Sequence, residues 1–282
     1  MWPRRLSRKI GELMGATSRT TEPAHPLFFP YNPGAESFIL RKVSGQDRDG
    51  PAHPVPPRDQ WISEKYGNTP EEYLASGQRD LQDMQDILAR AGVSLEDLGN
   101  ILEFGCGDGR MLRWLEHLAG TREVWGVDIH AGRIFWCKQH LSPALRFLTT
   151  TMVPHLPFED RHFGFVFAGS VFTHIDDLAD AWIAELRRIL RPGGKLFMTV
   201  HLKCDIELLS GRYRDSGLAR ILSSHHEFAS TDFDVFSIGR SAGSFVFYDL
   251  EFLRRAVEPL FRILSVTPEI RLYQNALLLE RN

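Results

Sequence analysis

The chain has 282 residues, 43% hydrophobic and 24% charged, an ordinary globular composition long enough to bury one sizeable core. Its net charge of -3 supplies no overall basic field, so no nucleic-acid partner is expected. The three cysteines, Cys106, Cys137 and Cys204, form no CxxC pair, which argues against a zinc or disulfide framework and fits a reducing, cytoplasmic compartment.

The first stretch, "MWPRRLSRKIGELMGATSRT", sets Arg4, Arg5, Arg8, Lys9 and Arg19 against one acid, Glu12, with Trp2, Leu6, Ile10, Leu13 and Met14 roughly on one helical face. Contact with an anionic membrane surface or a partner is one reading, and a plain basic tail is the other. The stretch lacks the apolar core of a secretory signal. From Thr21 to Pro57 proline and glycine interrupt every period, so residues 1–60 read as an irregular arm. Residues 61–99 read as a helical cap. Thr69 can cap a helix whose first position is Pro70 and whose first turn holds Glu71 and Glu72, and a second helix is predicted over about Leu81 to Ala91, ending at Gly92.

From residue 100 to 282 short apolar runs alternate with amphipathic stretches. The predicted strands are Ile101 to Gly105, Glu123 to Ile129, Leu145 to Thr150, Phe163 to Ser170, Gly194 to His201, Phe261 to Val266 and Tyr273 to Glu280. Predicted helices fall at Met111 to Leu118, Ala131 to Leu141, Asp177 to Leu190 and Asp249 to Val257. This alternation implies βαβ units, an α/β fold with a mostly parallel, doubly wound sheet covered on both faces. The most apolar run, Phe163 to Phe172, is far short of the roughly 20 residues a membrane span needs, so no transmembrane segment is expected. Residues 202–247 break the rhythm and read as a lid or acceptor-binding insertion carrying Tyr213, His225, His226, Phe228, Phe233 and Phe236.

The chemistry concentrates in "ILEFGCGDGR", residues 101–110. Gly105, Gly107 and Gly109 follow a strand and open a helix, which lets a ligand approach the backbone. The third glycine stands one residue early for the dinucleotide fingerprint, and no Walker lysine follows. Asp108 would repel a phosphate at the positive helix end. A cofactor without phosphates, carrying a sulfonium and an amino-acid end as S-adenosyl-L-methionine does, meets neither objection; Glu103 on the incoming strand can bind its ammonium. Asp128 in "VWGVDIH" ends the next strand, nineteen residues beyond Gly109, where a carboxylate accepts from a ribose diol.

These segments resemble class I S-adenosylmethionine-dependent methyltransferases. "ILEFGCGDGR" resembles the family's first motif, "VWGVDIH" its second, "LPFEDRHFGFVFAGSVFTHI" its region around strand four, and "ELRRILRPGGKLFMTVH" its helix-turn-strand five. Further details, "RWL", "FWC" and "SVFTH", resemble a bacterial subgroup that modifies small molecules and glycans. The resemblance implies a Rossmann-like sheet of seven strands, the last, Tyr273 to Glu280, inserted antiparallel. It implies a cofactor site from Glu103, Gly105, Cys106, Gly107, Gly109, Asp128, Ile129, Thr151, Met152 and Ser170. Two departures stand out: "TTTMVPHLPF" offers no acid for the adenine, leaving Thr150, Thr151, Met152 or backbone groups, and Gly164 replaces the usual aspartate after Phe163.

Methyl transfer to a hydroxyl needs a base, and His174 and His201 fall at the carboxyl ends of strands four and five. Asp176 and Asp177 beside His174 read as caps, so no metal is expected. The expected function is methyl transfer to a small-molecule hydroxyl, of a sugar or related metabolite. The alternatives are an NAD(P)-dependent oxidoreductase or epimerase, disfavoured by the missing glycine, Asp108 and the lack of a Y-x-x-x-K pair, and a cofactor-binding but inactive regulatory protein.

Overall fold

A computed structural model of the chain describes residues 53–58, 61, 66–225, 232–239 and 243–282. The basic N-terminal stretch and most of the expected arm lie outside these residues, as do His226 and Phe228.

Strands β1 (Ile101–Phe104), β2 (Val124–Asp128), β3 (Arg146–Thr149), β4 (Phe163–Ala168) and β5 (Leu190–Leu202) pair in the parallel order β3-β2-β1-β4-β5. Two further strands, β6 (Val235–Ile238) and β7 (Phe245–Tyr248), come from the 202–247 insertion, ahead of β8 (Phe261–Arg271) and β9 (Gln274–Arg281). β9 pairs antiparallel with both β5 and β8, which makes β8 parallel to β5. The core is thus the implied seven-stranded sheet, with the last strand inserted antiparallel. β6 and β7 add a hairpin: β7 pairs with β5 at His201 and Leu202, beyond the last β4 partner at Met198.

Side chains alternate between two faces with the strand period of two. Leu102, Phe104, Val166 and Ala168 pack with Trp182, Ile183 and Leu186 of α3 (Ala179–Ile189) and with Leu253 and Val257 of α6 (Leu250–Val257). Ile101, Phe165 and Phe167 pack with Leu81, Met84 and Leu88 of α1 (Pro70–Arg90) and Ile134 and Cys137 of α2 (Ala131–His140). Glu103 shares the parity of Ile101, which turns its carboxylate toward α1. Within the insertion, α4 (Asp205–Ser210) and α5 (Gly217–Ser223) join β6 and β7 around Leu209, Leu218, Leu222, Ile238 and Phe247.

Three local expectations change. The two helices expected in the cap are one, α1, started by Thr69 accepting from the Glu72 amide at 3.2 Å and Glu72 accepting from the Asn68 amide at 2.6 Å. Gly77 sits inside it at a close approach, where any Cβ would lie 2.2 Å from the Arg110 carbonyl oxygen. The helical stretch after the glycine loop is a 3-10 helix, Leu112–Leu118. Gly164, which read as a lost anchor, is a close approach: a Cβ would fall 1.3 Å from the Leu98 carbonyl oxygen, while the Gly164 and Phe165 amides both donate to Asn100 O.

Gly164→Ala should therefore destabilise the protein by about 3 kcal/mol, because the β4 backbone must move to admit one methyl. Urea unfolding measures this, and an unchanged midpoint would contradict the packing described.

Candidate active site

The strand order reverses between β1 and β4, and ligands of such sheets bind outside the carboxyl ends beside that switch. The glycine loop lies there. Gly105, Gly107 and Gly109 all take positive φ, which winds the loop tightly enough for the Gly105 and Cys106 amides to share Val127 O. Asp128 fixes the loop from the neighbouring strand. Its Oδ2 accepts from the Gly107 amide and its Oδ1 from the His130 amide, both at 2.8 Å. Each oxygen keeps a further lone pair, so the carboxylate is held in orientation with capacity to accept again.

Behind the loop the site is acidic and buried. Glu103 is 5% exposed and Asp108 is 1% exposed. Glu103 Oε2 and Asp108 Oδ2 have no hydrogen-bond partner among the described residues, while Asp108 Oδ1 accepts from the Tyr73 hydroxyl of α1. Burial pushes the Glu103 carboxyl from its ordinary 4.5 up to about 8, against the opposing pull of Arg110 and Arg271. Burial raises Asp108 as well, with the Tyr73 bond and Arg133 pulling it back. Arg110 donates to Ser76 Oγ at 3.1 Å and pairs with Asp80, while Arg113 donates to Gly109 O at 3.1 Å and to Pro54 O at 2.6 Å. Tyr66, Tyr73, Glu103, Asp108, Arg110 and Arg271 line a single cavity.

The other expected residues occupy the same edge. Ile129 follows Asp128, and Thr151 and Met152 follow β3, where the Thr150 amide donates to Asp128 O; Met152 is 55% exposed. Cys106 is buried beneath the loop. Ser170 adopts φ 62° at the end of β4, held by a ring of bonds: its amide donates to Thr199 Oγ1 at 2.7 Å, Thr199 donates to Gln274 Oε1 at 2.9 Å, and Gln274 Nε2 donates to Ser170 Oγ at 2.8 Å. Ser170 is thus tied to β5 and β9.

The two histidines differ. His174 Nδ1 lies 2.6 Å from the Ser244 carbonyl oxygen, and Ser244 Oγ donates back to His174 O at the same distance. A carbonyl only accepts, so Nδ1 carries the proton and Nε2 is the basic nitrogen of the neutral ring. His201 is 2% exposed, its ring packed between Phe247 (centroids 5.1 Å apart) and Tyr273 (5.5 Å). Among the described residues no cluster of three or more His, Cys, Asp or Glu could hold a metal, and no helix is long and apolar enough to cross a membrane.

Sequence reasoning missed Tyr66, Tyr73, Asp80 and Arg271. Arg110, adjacent to the loop, was the one visible hint of a basic partner for the acids.

Residues 102–198 match the family described as "Methyltransferase domain". Malonyl-acyl-carrier-protein O-methyltransferase of Hahella chejuensis is 28% identical over 125 residues, 43% of this chain and 44% of that protein. Ubiquinone/menaquinone biosynthesis C-methyltransferase of Chromobacterium violaceum is 32% identical over 117 residues, 39% of this chain and 46% of that one. The chain thus spans less than half the length of these curated relatives. Among solved structures, a protein of Pyrococcus horikoshii superposes with TM-score 0.56 at 19% identity, covering 78% of this chain and 97% of its own. Magnesium protoporphyrin IX methyltransferase of Synechocystis, solved with bound S-adenosylhomocysteine, gives 0.50 at 16% identity, covering 79% and 94%. Residues 102–198 therefore match a methyltransferase domain, and the described residues share the fold of these solved structures.

Because Glu103 binds its proton more tightly folded than unfolded, its contribution to stability is complete below about pH 4.5 and is lost as pH rises through about 8. Glu103→Gln should flatten the decline in stability across that window, read by urea unfolding at successive pH values; equal slopes in both proteins would contradict the burial of a proton-bearing acid.

Proposed function

We propose that the protein transfers a methyl group from S-adenosyl-L-methionine to a hydroxyl of a small-molecule acceptor. The observation that carries this is the pair of buried carboxylate oxygens, Glu103 Oε2 and Asp108 Oδ2, that lack hydrogen-bond partners among the described residues and belong to side chains lining one cavity. Burying such atoms costs free energy unless a donor arrives, and a cationic amino-acid end supplies both donor and charge. A pyrophosphate would meet two acids instead.

The cofactor supplies a methyl group bound to a positively charged sulfur. In this reading Glu103 and Asp108 hold its ammonium, and Gly105, Cys106, Gly107 and Gly109 admit it to the backbone. Asp128 accepts from the ribose diol, and Ile129, Thr151 and Met152 flank the base. The described part of residues 202–247, joined through β7 to the carboxyl end of β5, serves as the acceptor side, and the described part of residues 61–99 as the cap. His174 takes the proton of the acceptor hydroxyl on Nε2, the tautomer fixed by Ser244 O. His201, buried between two rings, positions the aromatic wall. The basic Nε2 of His174 favours a hydroxyl over a carbon acceptor, and the "SVFTH" segment supports a sugar or related metabolite. The three free cysteines support a reducing, cytoplasmic setting.

Asp128→Ala should weaken S-adenosylhomocysteine binding by about 100-fold, the loss of two charge-assisted hydrogen bonds, read by calorimetry on protein shown to be folded. Affinity unchanged within a few-fold would remove the ribose assignment. A mass-spectrometric screen for methylated sugars and related hydroxylated metabolites identifies the acceptor. With it in hand, His174→Ala should spare cofactor binding and slow turnover about 100-fold. Full turnover would show that another group takes the proton.

A further inference from the structure

The cavity holds more than the two acids need. Arg271, the last residue of β8, reaches back from the turn into β9 to the carboxyl edge of β4. Its guanidinium packs so close to Gly169 that a Cβ there would stand 2.9 Å from Nη1. The side chain is one-tenth exposed, and its Nη2 lies 3.0 Å from Asp80 Oδ2, the same oxygen that pairs with Arg110. Nη2 also lies 2.7 Å from Met111 Sδ, a weak acceptor. Nη1 and Nε donate to no atom of the described residues. Two guanidiniums therefore converge on one carboxylate oxygen, and each carries five donors in a planar fork made for two. One carboxylate of α1 does not use this capacity, and a second carboxylate would.

We propose that Arg271, oriented by Asp80 of α1, is a specificity-determining residue that binds the α-carboxylate of the cofactor's amino-acid end, opposite the ammonium held by Glu103 and Asp108. This rests on the function proposed above and extends it to residues outside residues 102–198. The cavity then reads a zwitterion, with two acids and two arginines in one lining. The turn between β8 and β9 and helix α1, far apart in sequence, act as the two halves of that recognition. A ligand that keeps adenosine and thioether but lacks the amino-acid end gains nothing from Arg271.

Calorimetry with the full chain uses S-adenosylhomocysteine and 5′-methylthioadenosine, which differ by that end. Arg271→Ala should weaken the first by 10- to 100-fold, the range of a charge-assisted hydrogen bond, and leave the second within threefold. Arg271→Lys, a point charge without the fork, should recover part of the loss. If Arg271→Ala does not fold, Arg271→Gln, which keeps a donor but no charge, carries the same comparison. Equal weakening of both ligands, or of neither, overturns the proposal and leaves the proposed function intact. Failure of the unsubstituted protein to bind either ligand overturns both.

Discussion

The site depends on one constraint: two carboxylates, Glu103 and Asp108, are buried at the edge of a parallel sheet without enough partners to satisfy them. A buried charge costs several kcal/mol unless it is paired, and a buried acid responds by holding its proton, as the rise of Glu103 to about 8 reflects. Glu103 cannot leave this position. It sits in β1, a central strand with β2 on one side and β4 on the other, and the period of two turns it toward α1. Asp108 is held by the tight loop and by the Tyr73 hydroxyl. The fold therefore maintains an acidic floor that its own residues leave partly unsatisfied, and this is the chemistry expected of a receptor for a cation.

Everything near that floor serves to keep it in place and dry. The Asp128 carboxylate ties the loop to β2 through the Gly107 amide, so the ribose recognition proposed for it and the loop geometry depend on the same carboxylate. Helix α1 closes the side that Glu103 faces, contributing Tyr73, Ser76 and Asp80 to one short arc. On the other side of the switch, the Ser170, Thr199 and Gln274 ring fixes the end of β4 in a left-handed turn, which brings His174 and the β7 hairpin into register. Electrostatics and strand order are thus two aspects of one arrangement.

Much of this was legible in the sequence. The parallel strands are buried on both faces and read as continuous apolar runs, and "ILEFGCGDGR" and "VWGVDIH" mark the ends of β1 and β2 because loop and carboxylate are local features. What stayed hidden is tertiary. β6 and β7 are only four residues each, β6 partly exposed and β7 paired with the overhang of β5, so neither periodicity nor length announced them. Gly164 read as a loss because a glycine used for close approach looks the same in sequence as one that merely lacks a side chain. Arg271 and Asp80 lie at opposite ends of the chain from each other, and nothing local distinguishes them from other surface charges. Their significance appears only when the β8–β9 turn and α1 meet over Glu103.

The central claim is that the glycine loop and its acidic floor select a cationic amino-acid end rather than a pyrophosphate. Competition calorimetry with S-adenosylhomocysteine and NAD on the unsubstituted protein tests it most directly. The account predicts saturable binding of S-adenosylhomocysteine that NAD does not displace. Binding of NAD with none of S-adenosylhomocysteine would contradict it.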